Sequence, residues 1–223
     1  MHQIKSKKIL LYIFLFFILG TTHNLYLDKL KFPKINKIEI VGLNKEERNE
    51  ILKDLNFLDM HSLFFLNTVE IKKILSSYSF VQSFTIFRKF PSTLKIDVKK
   101  TTILANRYID GVSFLIGSNG KLIKSEKKIN DIPLVFGNFN NNEFLKLKEM
   151  IDISSLPYLD IDSIYYFNSK RWDIKMKNGI LIKLPNEKIL IALKFAVDLL
   201  SDDKFKQIKI IDTRLNNQII LNE

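Results

Sequence analysis

Apolar and polar positions alternate in blocks along most of this chain, but the first block does not alternate at all. Every residue from Ile9 to Leu19 is apolar. Lys5, Lys7 and Lys8 precede this run; Gly20, Thr21, Thr22, His23 and Asn24 follow it, then Leu25-Tyr26-Leu27. The strict run of 11 residues is too short, at ~1.5 Å per residue, to cross a ~30 Å hydrocarbon core. Counted through the uncharged residues to Leu27 it reaches 19, which is long enough. A cleaved signal peptide needs a small-x-small site, and Gly20-Thr21-Thr22 is a poor substitute, so the pattern predicts an uncleaved anchor. Three lysines before the span and no acid among the first 27 residues predict a cytoplasmic N-terminus with the remainder outside. The expected divisions are a tail at 1–8, a span at 9–27 and a linker at 28–34.

Period-2 and helical periods then succeed one another over 35–101. Lys37-Ile38-Glu39-Ile40 alternates and ends at Gly42, which predicts a half-buried strand. Lys45 to Leu55 carries Ile51, Leu52 and Leu55 on one side of a helix. Asn67, with Glu70 three residues later, has the form of a capping box. It opens a second helix with Ile71, Ile74, Leu75 and Tyr78 on one stripe. Gln82, Phe84, Ile86 and Arg88 alternate against Val81, Ser83, Thr85 and Phe87. After Phe90-Pro91, Leu94, Ile96 and Val98 alternate against Lys95, Asp97 and Lys99. The predicted order is β-α-α-β-β, with both helices on one face of a three-stranded sheet and the other face wetter.

From 102 to 223 the pattern predicts a mixed, mainly antiparallel β domain with flanking helices, and the whole chain is of the α+β class. Strand-like runs occur at Leu104–Ile109, Val112–Ile116, Leu122–Ile123 and Ile161–Phe167. Turns are expected at Asp110-Gly111 and Asn119-Gly120, and a short helix at Glu143–Ile151. Around Asn178-Gly179 a two-residue turn would mix lysines with apolar residues on each face. A three-residue loop, Lys177-Asn178-Gly179, pairs Met176 with Ile180, Ile174 with Ile182 and Trp172 with Leu184. One face is then wholly apolar, with Gly179 left-handed. A helix after Pro185 buries Ile189, Leu193, Ala196 and Leu200. Two last strands, Gln207–Ile211 and Gln218–Leu221, flank Asn216-Asn217.

Composition narrows the chemistry. The chain holds 46% hydrophobic and 26% charged residues and no cysteine, which excludes disulfide scaffolds, thiolate metal sites and cysteine nucleophiles. The net charge is +11, but the lysines are spread among apolar and acidic neighbours rather than clustered with aromatics, so no nucleic-acid surface is expected. Residues 28–223 still carry eight more basic than acidic groups. The excess reads first as codon bias, since Lys, Ile, Asn and Phe dominate as in chains from AT-rich genomes. Attraction to an anionic membrane surface fits it better than nucleic-acid binding does. Only His61 lies outside the anchor region, too little for a histidine-based triad or zinc site. Glu46-Glu47, Asp160/Asp162 and Asp202-Asp203 sit where helix ends and loops are expected. No Gly-rich phosphate loop occurs. The residues point to a non-enzymatic, membrane-tethered interaction module that takes no cofactor and no small-molecule substrate.

The stretch Arg88-Lys89-Phe90-Pro91-Ser92-Thr93-Leu94-Lys95-Ile96-Asp97-Val98 resembles the R-x-[WF]-P-x-x-L-x-I-x-V signature of the FtsQ/DivIB cell-division proteins, and the β-α-α-β-β unit resembles their POTRA domain. Further resemblances keep the family's order: Ile38-Glu39-Ile40-Val41-Gly42-Leu43, Phe80-Val81, Ala105, Asn119-Gly120, Ile132-Pro133-Leu134-Val135-Phe136-Gly137, Arg171-Trp172, Asn178-Gly179 and Ile211-Asp212-Thr213-Arg214. Lys99-Lys100-Thr101, Gly117 and Leu184-Pro185 depart from the usual pattern and mark a divergent member.

The resemblance implies a single-pass protein of the bacterial inner membrane at the division septum, a scaffold linking early and late division proteins. It also implies partners: FtsB-like and FtsL-like bitopic proteins that control septal peptidoglycan synthesis. They would be bound through Arg214, Gln218, Ile219, Ile220 and Leu221 by strand addition. From the residues alone Gln218–Leu221 reads equally as an ordinary terminal strand. Ser83 and Thr85, on a strand beside the signature, are the expected recruitment positions. The other classes considered are a POTRA module for outer-membrane assembly or secretion and, further off, an envelope enzyme. A C-terminal β-barrel would need more ten-residue alternating strands than follow Lys100.

Overall fold

The computed structural model describes residues 3–22, 32–202, 208–214 and 220–222. Its first element is α1 (Gln3–Thr22); over Ile9–Leu19 it is apolar around its whole circumference, and these residues are each 42–77% exposed. Among the described residues no helix is long and apolar enough to cross a membrane. In α1, Lys5, Lys7 and Lys8 occupy the opening turns, so the uncharged part, residues 9–22, rises only about 21 Å. Residues 23–27 of the expected span lie outside the described residues.

A first unit contains β1 (Lys37–Val41), α2 (Lys45–Asp54), α3 (Val69–Ser77), β2 (Val81–Lys89) and β3 (Thr93–Lys100). The sheet order is β1-β3-β2, with β1 parallel and β2 antiparallel to β3. Leu94, Ile96 and Val98 of β3 face Ile51, Leu55, Leu58, Ile71 and Leu75 in one buried cluster. The opposite face carries polar pairs: Lys95 with Asp97, and Glu39 with both Lys37 and Lys89. Those two lysines, Lys37 foremost, hold the Glu39 carboxyl at about 2.

Two capping boxes start helices whose caps the sequence pattern did not mark. Asn44 Oδ1 accepts from Glu47 N at 2.8 Å and Glu47 Oε2 from Asn44 N at 3.2 Å. Asn140 and Glu143 are arranged likewise at the head of α4 (Asn141–Ser154). The box expected at Asn67 and Glu70 does not form. Asn67 Oδ1 instead accepts from Val69 N at 3.0 Å, an Asx turn. It moves the cap to Thr68, which leaves Glu70 one position too early to reach back.

The second unit is a nine-stranded sheet ordered β12-β11-β10-β9-β8-β7-β4-β5-β6. Its strands are β4 (Ile103–Ile109), β5 (Val112–Gly117), β6 (Leu122–Lys124), β7 (Leu134–Phe136), β8 (Ile161–Tyr166), β9 (Trp172–Met176), β10 (Leu181–Lys183), β11 (Ile210–Asp212) and β12 (Ile220–Asn222). The helices are α4 (Asn141–Ser154) and α5 (Ile189–Ser201). The parallel pairs β7/β8 and β10/β11 are joined through α4 and α5, since parallel neighbours need a crossover. Both helices bury one stripe on the same side of the sheet: Phe144, Leu147 and Ile151 from α4, and Ala192, Leu193 and Ala196 from α5, against Ile164, Trp172, Ile174 and Ile182. The mixed α+β expectation holds. So does the hairpin register: Ile174 pairs with Ile182, Met176 N donates to Ile180 O at 2.8 Å, and Gly179 has φ +93°.

The sequence pattern did not mark β7 as a strand. It has only three residues, between Pro133 and Gly137, yet it lies inside the sheet, parallel to both β4 and β8. Beside it Asn106 is 1% exposed. Its Nδ2 donates to Ile129 O and Ile132 O, and its Oδ1 accepts from Ile129 N, fixing the loop that leads into β7.

Candidate partner-binding edges

Among the described residues both sheets end in strands that present one unpaired side, which is where an incoming strand can be added. In the first unit β2 is such an edge. Ser83 and Thr85 are exposed on it, opposite Lys99 and Asp97 of β3, so they stand on the polar face. Phe84 and Ile86 turn inward against the buried cluster. A register shift between Val81 and Ser83 marks a bulge where the strand enters the sheet, a device that limits unspecific edge pairing.

In the second unit β12 closes one end of the sheet, antiparallel to β11, with Ile210, Ile211 and Asp212 opposite Asn222, Leu221 and Ile220. Ile220 and Leu221 therefore lie on the edge strand. Gln218 and Ile219 lie outside the described residues, as does Gln207 of the expected preceding strand. Arg214 stands just after β11 and grips Asp212. Its Nε donates to Oδ1 at 2.7 Å and to Oδ2 at 3.0 Å, its Nη2 donates to Oδ2, and its backbone N–H donates to Oδ1. This fork holds the Asp212 carboxyl below its ordinary range. Thr213 ties the same turn to β10, its N–H and Oγ1 both bonding to Lys183 O. The Ile211-Asp212-Thr213-Arg214 stretch thus anchors the chain from which β12 springs. Nearby, Asp173 is buried and its Oδ1 has no hydrogen-bond partner. Burial pushes its carboxyl up against the pull of Arg171 and Arg214.

Between the units lies a polar joint that sequence reading missed. Asn119 was expected only as a turn residue. Its Nδ2 in fact donates to Ser79 O and Val81 O, both at 2.9 Å. Lys121 Nζ donates to Ser76 O and Tyr78 O, the carbonyls at the end of α3, where a cation is favoured by the helix dipole. Thr101 and Ser118 both donate to Gln82 Oε1. Partners about 40 residues away leave no periodic trace, so nothing in the sequence pattern could show them. Asn119→Ala removes two cross-unit hydrogen bonds and leaves partly buried carbonyls unpaired, a cost of about 1–3 kcal/mol. Calorimetry is expected to show a lower and less cooperative melt. The control is Asn178→Ala, where the side chain only accepts from Ile180 N in an exposed turn, and it should melt as the wild type does.

Among the described residues no group of three or more His, Asp or Glu could hold a metal ion. His61 is occupied locally, with Nδ1 3.0 Å from Phe57 O.

This pairing of a three-stranded α/β unit with a large mixed sheet is matched by two family models. One, described as POTRA domain, FtsQ-type, matches residues 34–100. The other, described as cell division protein FtsQ/DivIB, C-terminal, matches residues 107–214. The chain belongs to the FtsQ/DivIB family of cell division proteins. It is 28% identical to the cell division protein FtsQ of Rickettsia bellii over 165 residues, 73% of this chain and 61% of that protein. It is 29% identical to the cell division protein DivIB of Clostridium botulinum (strain Loch Maree / Type A3), over 92% of this chain and 85% of that one. A solved structure of the major extracytoplasmic domain of DivIB from Geobacillus stearothermophilus covers 42% of this chain and 85% of its own, at 18% identity and a TM-score of 0.34, too loose a fit to transfer geometry.

Proposed function

We propose that this protein is a non-enzymatic, single-pass scaffold of the bacterial inner membrane at the division septum. It is organised as a cytoplasmic tail (1–8), an anchor (9–27), a linker (28–34), a POTRA domain (35–101) and a periplasmic β domain (102–223). The anchor reading rests on the uniformly apolar surface of Ile9–Leu19 behind three lysines. The β domain binds an FtsB-like and FtsL-like bitopic pair by strand addition at β12 and through it controls septal peptidoglycan synthesis. The β2 edge, with Ser83 and Thr85, serves recruitment. The observation that carries this reading is the place of β12 at the end of the nine-stranded sheet, with β11, among the described residues, on one side only. Around Ile220–Leu221 an added strand gains main-chain bonds worth about 0.5–1.5 kcal/mol each. The nearby Arg214–Asp212 fork keeps the preceding turn in place.

One experiment in dividing cells tests both edges. Ile220→Pro removes an edge N–H and fixes φ, as deletion of 217–223 removes the strand. Both are expected to lose the bitopic partners in pull-downs of the full-length protein while septal localisation persists. Thr85→Glu is expected to do the reverse. Circular dichroism melts check that each variant is folded. A folded Ile220→Pro protein that retains its partners at wild-type level shows that the binding surface lies elsewhere; normal localisation of folded Thr85→Glu removes the β2 assignment.

A further inference from the structure

The end of the POTRA domain at which its described chain begins, at Phe32, carries an aromatic surface that the partner edges do not use. Phe32 packs on Phe64 and Phe65, with ring centroids 4.9 and 5.1 Å apart, and Phe64 packs on Phe90 at 4.9 Å. These rings do not enter the buried cluster of the domain. Phe32 is 42% exposed, Phe64 46%, Phe90 57% and Phe65 74%; Met60, at the mouth of the same loop, is 77% exposed. The loop is held in place from behind, since Arg88 Nη2 donates to Leu66 O at 2.8 Å and Ile35 N to His61 O at 2.9 Å. A fixed apolar patch rimmed by polar residues is the signature of a surface that is covered in use.

Chain length says what covers it. Given the anchor reading above, on which this inference rests, four residues separate Leu27 at the end of the span from Phe32. Five extended Cα–Cα steps reach at most about 18 Å, two to three headgroup-layer depths of ~5–8 Å, so Phe32 cannot leave the neighbourhood of the bilayer surface. Charge agrees. Lys29, Lys31 and Lys34 stand against the lone Asp28 in this linker, and Lys89 adjoins Phe90. Aromatic rings with neighbouring lysines suit the boundary between headgroups and acyl chains, and the basic excess adds attraction to anionic lipid. We propose that Phe32, Phe64, Phe65 and Phe90 dock into the outer interfacial layer of the bilayer that holds the anchor. The POTRA domain is thereby seated on the membrane rather than swinging on its linker. The β2 edge and, through the Asn119 joint, the β domain are then presented at a set height.

The absence of cysteine lets single cysteines carry an environment-sensitive fluorophore at chosen places. Full-length protein is reconstituted in nanodiscs of phosphatidylcholine alone or with phosphatidylglycerol, with nitroxide lipids as quenchers. Met60→Cys reads the aromatic pole, Ser77→Cys the far end of α3, and Ile13→Cys the anchor. The expected result is several-fold stronger quenching at position 60 than at 77, strengthened by phosphatidylglycerol. It should fall to the level of position 77 when Phe65→Glu and Phe90→Glu are added, with the melting curve unchanged. Because tethering alone brings the pole near the bilayer, the Phe→Glu pair is the deciding arm: quenching that survives it in folded protein overturns the proposal. So does equal quenching at 60 and 77. Should the aromatic pair impair folding, Phe65→Ser, at the most exposed of the rings, serves in its place and is expected to weaken the quenching in the same direction; no weakening overturns the proposal. An unquenched probe at position 13 fails the anchor itself, which separates that failure from failure of the aromatic pole.

Discussion

Gly42→Ala is expected to unfold the POTRA domain, or nearly so, in a protein whose β domain remains folded. Gly42 closes β1 with φ +95°, and a Cβ placed there would lie 1.8 Å from the carbonyl oxygen of Val98. Val98 belongs to β3, the central strand on which both β1 and β2 pair, so its backbone cannot yield without breaking the ladder. The left-handed conformation alone costs a non-glycine residue about 1–2 kcal/mol, and moving packed backbone adds about 1–3 kcal/mol. A domain of this size has only about 3–10 kcal/mol in total. Differential scanning calorimetry is the measurement. A Gly42→Ala protein that melts within a degree or two of wild type would show that β1 can shift away from β3 freely. Gly111→Ala is the matching control: it also has positive φ, but nothing lies within 4 Å of its would-be Cβ, so only the conformational cost remains.

Phe144→Ala is the corresponding lesion in the β domain. Phe144 is fully buried on the inner face of α4, with its ring 6.2 Å from that of Phe139. It is the largest fully buried side chain of the cluster that joins α4, α5 and the sheet. Truncation of such a residue costs about 3–5 kcal/mol, because the lost transfer energy and the cavity add. Chemical denaturation is expected to lower the midpoint of the β-domain transition without moving that of the POTRA domain. Ile153→Ala, on the same helix but 53% exposed, should change stability by no more than about 0.5 kcal/mol. If both variants behave alike, the packing of α4 described here is wrong. Partner capture should fall with β-domain unfolding in the first and persist in the second.

These two lesions also separate what was legible in the residues from what was not. A helix over Glu143–Ile151 was legible, but that Phe144 faces the core came only with the packing of α4 on the sheet. The pairing of Ile174 with Ile182 follows from the requirement that one face of a hairpin be apolar. Gly42 was legible as the end of a strand, but its conflict with Val98 was not, since that conflict exists only because β1 lies parallel to a strand more than 50 residues later in the chain. At the candidate edges the same division applies. An exposed, alternating β2 was readable around Ser83 and Thr85. The fork that ties Arg214 to Asp212 was not, since two residues of opposite charge at that spacing carry no geometry until β11 fixes their direction.

Patterns set by neighbours within one or two turns were determined by the sequence alone. These are the apolar run at Ile9–Leu19, the β-α-α-β-β order, the amphipathic faces of α2, α3 and α5, the register about Gly179 and, through the Arg88–Val98 signature, the family. Their cause is burial of side chains at fixed period, which acts locally and so leaves a local mark. The tertiary structure decided the rest. It made three-residue β7 an interior strand, set β10 parallel to β11 across α5, moved the α3 cap from Asn67 to Thr68, and spent Asn119 and Lys121 on carbonyls of the other unit. It also gathered Phe32, Phe64, Phe65 and Phe90 at one pole. Each of these depends on which backbone groups are still unpaired, or which side chains are still exposed, once distant segments have packed. No window of the sequence contains both partners.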